Sequence, residues 1–107
     1  MWNLEYTELA RKDFNSLDGS VKPIVLKAIL KVLQNPLPAA QGGYGKPLGN
    51  KGGINLTNLF KIKLRQHGIR IVYKLVKDGT TNTMKIIVIS VRSDNEVYTT
   101  ASKRENL

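Results

Sequence analysis

Apolar residues recur at helical spacing twice in the first third of the chain, after a short stretch that alternates like a strand. Residues 2–7 form that stretch, and Thr7 is placed to cap a helix that starts directly after it. Asp18-Gly19 ends this helix, and Ser20 is placed to cap a second helix that extends to about residue 35. The predicted buried positions are Leu9, Phe14 and Leu17 in the first helix and Val21, Ile24, Val25, Ala28, Val32 and Leu33 in the second.

The rest of the chain reads as a long loop followed by strands. Residues 36–58 hold six glycines and three prolines, which predict a flexible loop. Residues 60–65 alternate between apolar and basic side chains, residues 69–75 alternate in most positions, and His67-Gly68 between them predicts a two-residue hairpin turn. Residues 84–91 are apolar at nearly every position, as in a central strand covered on both faces, and residues 98–105 predict a short helix.

This order of elements predicts an α+β fold. We expect a small antiparallel sheet of about four strands, with two N-terminal helices packed on one face and a short C-terminal helix. The 107 residues suit one domain that spans residues 1–107, because a chain of this length has room for a single core.

The predicted hairpin turn determines which side chains of the two strands share a face. With His67-Gly68 as the turn, Lys63 lies opposite Val72, and basic and apolar residues separate onto opposite faces. A three-residue loop would instead mix charges into the apolar face. The basic face then carries Lys61, Lys63, Arg65, Arg70 and Lys74.

The charge balance favours a polyanionic ligand for that face. The chain has 17 Lys and Arg against 8 Asp and Glu, a formal net charge of +9. Nucleic acid is the favoured partner class, because binding phosphates releases counterions and relieves the repulsion. Two alternatives stay open: a solvated basic face that only blocks edge pairing, and a basic surface covered by an acidic protein. The strands of the face contribute no acidic residue, which favours an anionic ligand.

Conventional catalytic patterns are missing from the sequence. The chain has no cysteine, and its one histidine, His67, lies in the predicted turn. We find no carboxylate pair, nucleophile motif or cluster of metal ligands, so we expect neither a metal nor a cofactor. Lys46 and Lys51 lie among glycines but do not fit the P-loop pattern. The N-terminus has the features of neither a signal peptide nor a membrane span, so we expect a cytoplasmic protein without a membrane partner.

Four segments resemble the RelE branch of the RelE/ParE toxin superfamily. They are Lys61-Ile62-Lys63-Leu64-Arg65, Gly68-Ile69-Arg70-Ile71-Val72-Tyr73, Val88-Ile89-Ser90-Val91-Arg92 and Glu96-Val97-Tyr98. The resemblance spans nearly the whole chain, and the order of elements also matches. It implies a RelE-like fold and the toxin of a type II toxin–antitoxin system, a metal-independent endoribonuclease that inhibits translation by cutting mRNA in the A site of the 70S ribosome. It also implies a small acidic cognate antitoxin.

The resemblance also assigns candidate site residues. It implies catalytic roles for Lys61, Lys63, Arg70, Arg92 and Tyr98. Further RNA contacts are expected from Arg65, Lys74, Lys46 and Lys51. The implied reaction is attack of a ribose 2′-OH on the adjacent phosphorus, with the roles of the two lysines left open. The connection from Ser90-Val91 to Arg92 is shorter than in the family, which affects the placement of Arg92.

Two other functions fit the same fold. A ParE-like DNA gyrase inhibitor would share the architecture without needing the combination of Lys61, Lys63, Arg70 and Tyr98. A non-catalytic nucleic-acid-binding module would need the basic face but no catalytic geometry. The joint presence of these four residues favours the ribonuclease.

Overall fold

A five-stranded sheet with helices on both faces forms the protein. The computed structural model describes residues 1–106. The strands are ordered β1-β5-β4-β3-β2, with β1 parallel to β5 and the other neighbours antiparallel. The α+β class is confirmed, with five strands where the sequence predicted about four. The elements are β1 (Asn3–Tyr6), α1 (Glu8–Asn15), α2 (Lys22–Leu33), β2 (Lys46–Lys51), β3 (Ile54–Leu64), β4 (Ile69–Asp78), β5 (Thr81–Ser90) and α3 (Asp94–Glu105).

The first two helices have the predicted order but differ at one cap. Thr7 caps α1, because its hydroxyl oxygen accepts a hydrogen bond from the backbone N–H of Ala10 at 3.0 Å. The cap predicted at Ser20 is wrong: α2 begins after Val21, without a side-chain cap. Among residues 1–106, no helix is long and apolar enough to cross a membrane.

Two apolar cores lie on opposite faces of the sheet. The helices α1 and α2 cover the first core, to which Ala10, Ile29 and Tyr73 belong. Helix α3 covers the second, which includes Val72 and Val97. β5 contributes side chains to both cores, as predicted for a central strand. Two positions predicted to be buried are wrong because they lie on the outer sides of their helices: Leu9 and Ile24.

The segment 36–58 is structured, so the predicted flexible loop is wrong. β2 and β3 form a hairpin whose turn is Gly52-Gly53, with both φ angles positive at 55° and 82°. Glycine adopts these angles without the steric cost that other residues meet. Gly45 lies so close to neighbouring backbone that an ideal Cβ would be 2.7 Å from the Pro36 carbonyl oxygen. Gly52-Gly53 therefore marks a tight turn, and Gly45 marks a close contact.

The β3–β4 hairpin pairs two residues away from the predicted register. Residues 65–68 connect the strands through a short 3-10 helix, and Gly68 has a φ of 63°. The predicted two-residue turn is therefore wrong, and Lys63 lies opposite Arg70 instead of Val72. Because side chains alternate with a period of two, a shift of two residues keeps each strand side chain on its predicted face. Arg65 moves from the strand into the turn.

Candidate active site

The basic face of the hairpin lies beneath α3. Lys61, Lys63, Arg70 and Lys74 share this face with Val72, which belongs to the core that α3 covers. The sequence predicted a face without acidic residues, and this holds for β3 and for β4 as far as Lys77. Asp78, the last residue of β4, lies on the same face at the far end of the strand. Helix α3 changes the balance, because it brings two carboxylates onto the same face.

Asp94 joins Lys63 and Arg70. Ser93 caps α3 by accepting a hydrogen bond from the backbone N–H of Glu96 at 3.4 Å, which places Asp94 in the first turn. The Asp94 carboxylate accepts a hydrogen bond from Lys63 Nζ at 2.9 Å and another from Arg70 Nε. The bond from Lys63, followed by that from Arg70, holds the pKa of Asp94 below its ordinary value. An anion thus lies between two of the cations that the resemblance implicates in catalysis.

Further hydrogen bonds orient the Arg70 guanidinium. Its Nη1 donates to the carbonyl oxygen of Gly68 at 3.1 Å and to that of Arg92 at 2.8 Å. The turn after β3 and the connection after β5 are thereby tied to one side chain. Within residues 1–106, Nη2 is the guanidinium nitrogen that these bonds leave open to a ligand.

Lys61 lies in the most basic part of the site. It pairs with Lys46 across the β2–β3 hairpin and precedes Lys63 by two positions on the same face of β3. Burial, followed by the charges of Lys51 and Lys63, lowers the pKa of Lys61, while the Asp94 carboxylate acts in the opposite direction. A lysine with a lowered pKa loses its proton more readily at neutral pH, as a general base must.

Helix α3 contributes Tyr98 to the site, and the connection between β5 and α3 contributes Arg92. Tyr98 lies on α3, is only 6% exposed and packs in the second core. Burial, followed by the charge of Asp94, raises the pKa of its hydroxyl, while Arg70 opposes the shift. Arg92 is exposed, and its Nη1 lies 3.3 Å from Glu96 Oε2. The connection after β5 brings the backbone of Arg92 into contact with Arg70.

The remaining predicted RNA contacts are dispersed. Lys74 forms an ion pair of 2.9 Å with Glu105, near the opposite end of α3 from Asp94. Arg65 is exposed in the turn after β3. Lys46 and Lys51 are exposed on β2, where they extend the basic surface around Lys61.

Asp94 is the site residue that sequence reasoning missed. The helix was expected to begin at residue 98, which left Asp94 in a connecting segment. A signal was present, because Ser93-Asp94-Asn95-Glu96 has the Ser-x-x-Glu spacing of a capping box. This pattern would have started the helix four residues earlier and placed a carboxylate in its first turn.

A second network holds the far end of α3. The Asp13 carboxylate of α1 accepts hydrogen bonds from the backbone N–H of Ile89 at 3.0 Å and from Arg104 Nη1 at 2.7 Å. Arg104 Nη1 also donates to the carbonyl oxygen of Ile87 at 2.7 Å. Ile87 and Ile89 lie on the edge of β5 beyond the end of β1, where no strand among residues 1–106 pairs with them. The Asp13–Arg104 ion pair gives the backbone groups of Ile87 and Ile89 hydrogen-bond partners and connects α3 to α1.

Comparison with known proteins gives matches over nearly the whole chain. The mRNA interferase toxin RelE of Escherichia coli is 32% identical over 103 residues, which cover 94% of each chain. The crystal structure of the isolated Escherichia coli RelE toxin has a TM-score of 0.67 at 28% identity and covers 98% of this chain and 99% of that one. A chain of the intact Escherichia coli RelBE toxin–antitoxin complex has a TM-score of 0.62 at 25% identity, covering 87% and 99%. No protein-family model matches the chain.

Proposed function

The chain belongs to the RelE family of mRNA interferase toxins, the toxins of type II toxin–antitoxin systems, and from this premise we propose that it cleaves mRNA in the ribosomal A site. The observation that carries the proposal is the arrangement of Lys63 and Arg70 around one carboxylate, with Lys61 on the same face. Two cations that hold a carboxylate from two sides are suited to the oxygens of a phosphate group.

The proposed reaction is an attack within the RNA strand. The 2′ oxygen forms a bond to the adjacent phosphorus and the bond to the 5′ oxygen breaks, leaving a 2′,3′-cyclic phosphate and a 5′-OH. Neutral Lys61 accepts the proton of the 2′-OH, a role that its lowered pKa supports. Lys63 and Arg70 stabilise the charge that develops on the phosphorane oxygens. Arg92 stabilises the leaving 5′ oxygen, which takes a proton from solvent. The reaction uses no metal ion.

Tyr98 contributes through its hydroxyl in this proposal. A tyrosine that is 6% exposed has little ring surface for stacking on a base. Its hydroxyl, however, lies near enough to Asp94 and Arg70 for their charges to affect its pKa. We therefore assign Tyr98 to orienting the reacting groups beside Arg70.

In this proposal the ribosome positions the message for attack, which compensates for the weak acid–base catalysis of these side chains. Lysine and arginine titrate far from neutral pH, so they are weak acids and bases on freely diffusing RNA. Holding the message in an attack geometry contributes through orientation, which can be worth ~7–11 kcal/mol in well-aligned reactions. Cleavage therefore depends on the ribosome, and the toxin acts in the cytoplasm where ribosomes translate.

An acidic antitoxin is the second proposed partner. The net charge of +9 favours a partner of opposite charge. The similar Escherichia coli toxin forms a complex with its antitoxin, which supports the same arrangement here. A small acidic protein that folds on binding would cover the basic surface and block access to RNA.

The test compares matched variants on programmed ribosomes. Primer extension would measure cleavage by the wild type, by Arg70→Ala and by Tyr98→Phe, with Lys103→Ala as a control that removes one exposed positive charge from α3. Arg70→Ala should lower the rate by about 10²–10³-fold, because it removes a donor that stabilises the transition state. Tyr98→Phe should lower it by about tenfold or more, and the control should cut normally.

Two results would overturn the proposal. Ribosome binding by the wild type without cleavage would indicate a non-catalytic nucleic-acid-binding module. Neither binding nor cleavage, together with inhibition in a gyrase supercoiling assay, would indicate the ParE-like alternative.

A further inference from the structure

The carboxylate of Asp94 lies in the anion site formed by Lys63 and Arg70. One of its oxygens meets Lys63 Nζ at 2.9 Å and the other meets Arg70 Nε. The side chains of Lys63, Arg70 and Asp94 are 26%, 22% and 40% exposed. The bridge is thus at the protein surface, where a ligand has access to both cations and to the carboxylate between them.

Asp94 and an RNA phosphate would compete for the same donors. The bridge occupies Lys63 Nζ and Arg70 Nε, and Arg70 Nη1 is held by backbone carbonyls. A phosphate that approached with Asp94 in place would find one guanidinium nitrogen open and a carboxylate beside it. The negative charge of that carboxylate would repel the phosphate, because two anions at contact distance disfavour each other.

We propose that Asp94 is an internal ligand of the phosphate-binding site formed by Lys63 and Arg70, and that an RNA phosphate must displace it to bind. This inference rests on the proposed function, because it takes RNA phosphate as the ligand of these cations. It adds a negative regulator of RNA affinity that the chain carries within its own site.

The fold allows Asp94 to leave without unpacking α3. Asp94 is the first residue of the helix and follows an exposed connection of three residues, 91–93. Val97, Tyr98 and Ala101 hold the helix in the second core, and Arg104 fastens its far end to Asp13. A rotation of the Asp94 side chain or an adjustment of the first turn therefore clears the site while Tyr98 stays in place.

The test measures binding without chemistry. The probe is an oligoribonucleotide with a 2′-O-methyl group at every position, which prevents cleavage. It carries a fluorophore for anisotropy. Asp94→Asn removes the charge and keeps the size of the side chain. The matched control is Asp78→Asn, which changes the net charge equally at an exposed position at the end of β4.

Asp94→Asn should bind the probe roughly three- to tenfold more tightly, because binding no longer breaks a partly exposed ion pair. Its affinity should also fall more steeply with salt. In the wild type, salt also weakens the competing Asp94 ion pair, which offsets part of the loss of RNA affinity. Without that pair, the slope of log K against log salt should steepen by up to about 0.7, the value for one phosphate contact of a single strand. Asp78→Asn should leave that slope unchanged. Equal or weaker binding by Asp94→Asn with an unchanged slope would overturn the proposal.

Two further measurements distinguish the proposed effect of Asp94 from the effect of a folding defect. In a Lys63→Gln and Arg70→Gln background, Asp94→Asn should no longer improve binding, and a persistent gain would overturn the proposal. In the wild type, saturating probe should shift the side-chain carboxyl ¹³C resonance of Asp94, and an unchanged resonance would count equally against it. Because none of these readouts needs cleavage or ribosomes, the inference and the proposed reaction can fail separately.

Discussion

Replacing Asp13 by alanine tests how α3 is held over the site. The substitution removes the acceptor for the Ile89 N–H and the partner of Arg104, both of which lie at the unpaired edge of β5. The side chains of Asp13 and Arg104 are only 20% and 19% exposed, so water replaces the lost contacts poorly. An unsatisfied backbone donor and a weakly solvated guanidinium together predict a loss of about 2–4 kcal/mol in the free energy of unfolding.

Urea denaturation followed by circular dichroism would measure this loss. Asp13→Asn should cost less than Asp13→Ala, about 1–2 kcal/mol, because its amide oxygen can still accept from Ile89. The control is Glu8→Ala on the same helix. The Glu8 carboxylate lies 3.9 Å from Lys12 Nζ, and the side chains of Lys12 and Glu8 are 70% and 87% exposed. This control should cost less than about 1 kcal/mol.

Hydrogen exchange would connect that stability to the site. Asp13→Ala should speed amide exchange in the last turns of α3 more than in α2, because the lost ion pair fastens α3 in particular. A loss for Asp13→Ala no larger than that for Glu8→Ala would refute the reasoning. Uniform exchange in both helices would refute the idea of a local fastening.

Three further predictions concern a hydrogen bond in the core, the pKa of Lys61 and the effect of removing divalent ions. Tyr73→Phe should lower the free energy of unfolding by about 1–2 kcal/mol in urea denaturation, because the buried Tyr73 hydroxyl donates to the Pro36 carbonyl at 3.0 Å. Lys51→Gln should shift the ascending limb of the pH–rate profile for cleavage to higher pH. Removing a positive neighbour favours protonated Lys61, raises its pKa and leaves less neutral base at a given pH. An unshifted limb would exclude Lys61 as the base. Chelation of divalent ions with EDTA should leave anion binding by the isolated toxin unchanged, whereas a loss restored by Mg²⁺ would indicate a metal site.

The hydrophobic pattern predicted the faces of the hairpin better than its pairing. A strict alternation assigns each side chain to a face, and that assignment survived a register error of two residues because the strand period is two. The pairing itself depends on the turn, and Arg65-Gln66-His67-Gly68 forms a 3-10 turn that the His67-Gly68 pair alone did not reveal. Local turn geometry was therefore the missing information.

The prediction for the glycine-rich segment 36–58 failed for a different reason. Composition suggested flexibility, while the two-residue spacing of Lys51-Gly52-Gly53-Ile54 carried a hairpin signal that composition concealed. Gly45 is required by a contact with Pro36, which lies nine positions earlier and meets it only in the folded chain. No local pattern contains that contact.

The candidate site was predictable in its cations but not in its anion. Lys61, Lys63 and Arg70 lie on strands whose alternation brings them together. Asp94 reaches them from a helix 24 residues beyond Arg70, and the contact depends on how α3 crosses the sheet. Such a contact arises from tertiary packing, so the sequence predicted an unbalanced basic face where the fold has a partly neutralised one.

The most direct test of the proposed function is single-turnover cleavage of one message, both in programmed ribosomes and free in solution, with the new RNA ends identified chemically. We expect one cut within the A-site codon, a 2′,3′-cyclic phosphate on the upstream fragment, a 5′-OH on the downstream fragment, and no comparable cutting of free RNA. Equal cleavage of the free message, or ends that carry a 3′-OH and a 5′-phosphate, would contradict the proposed function.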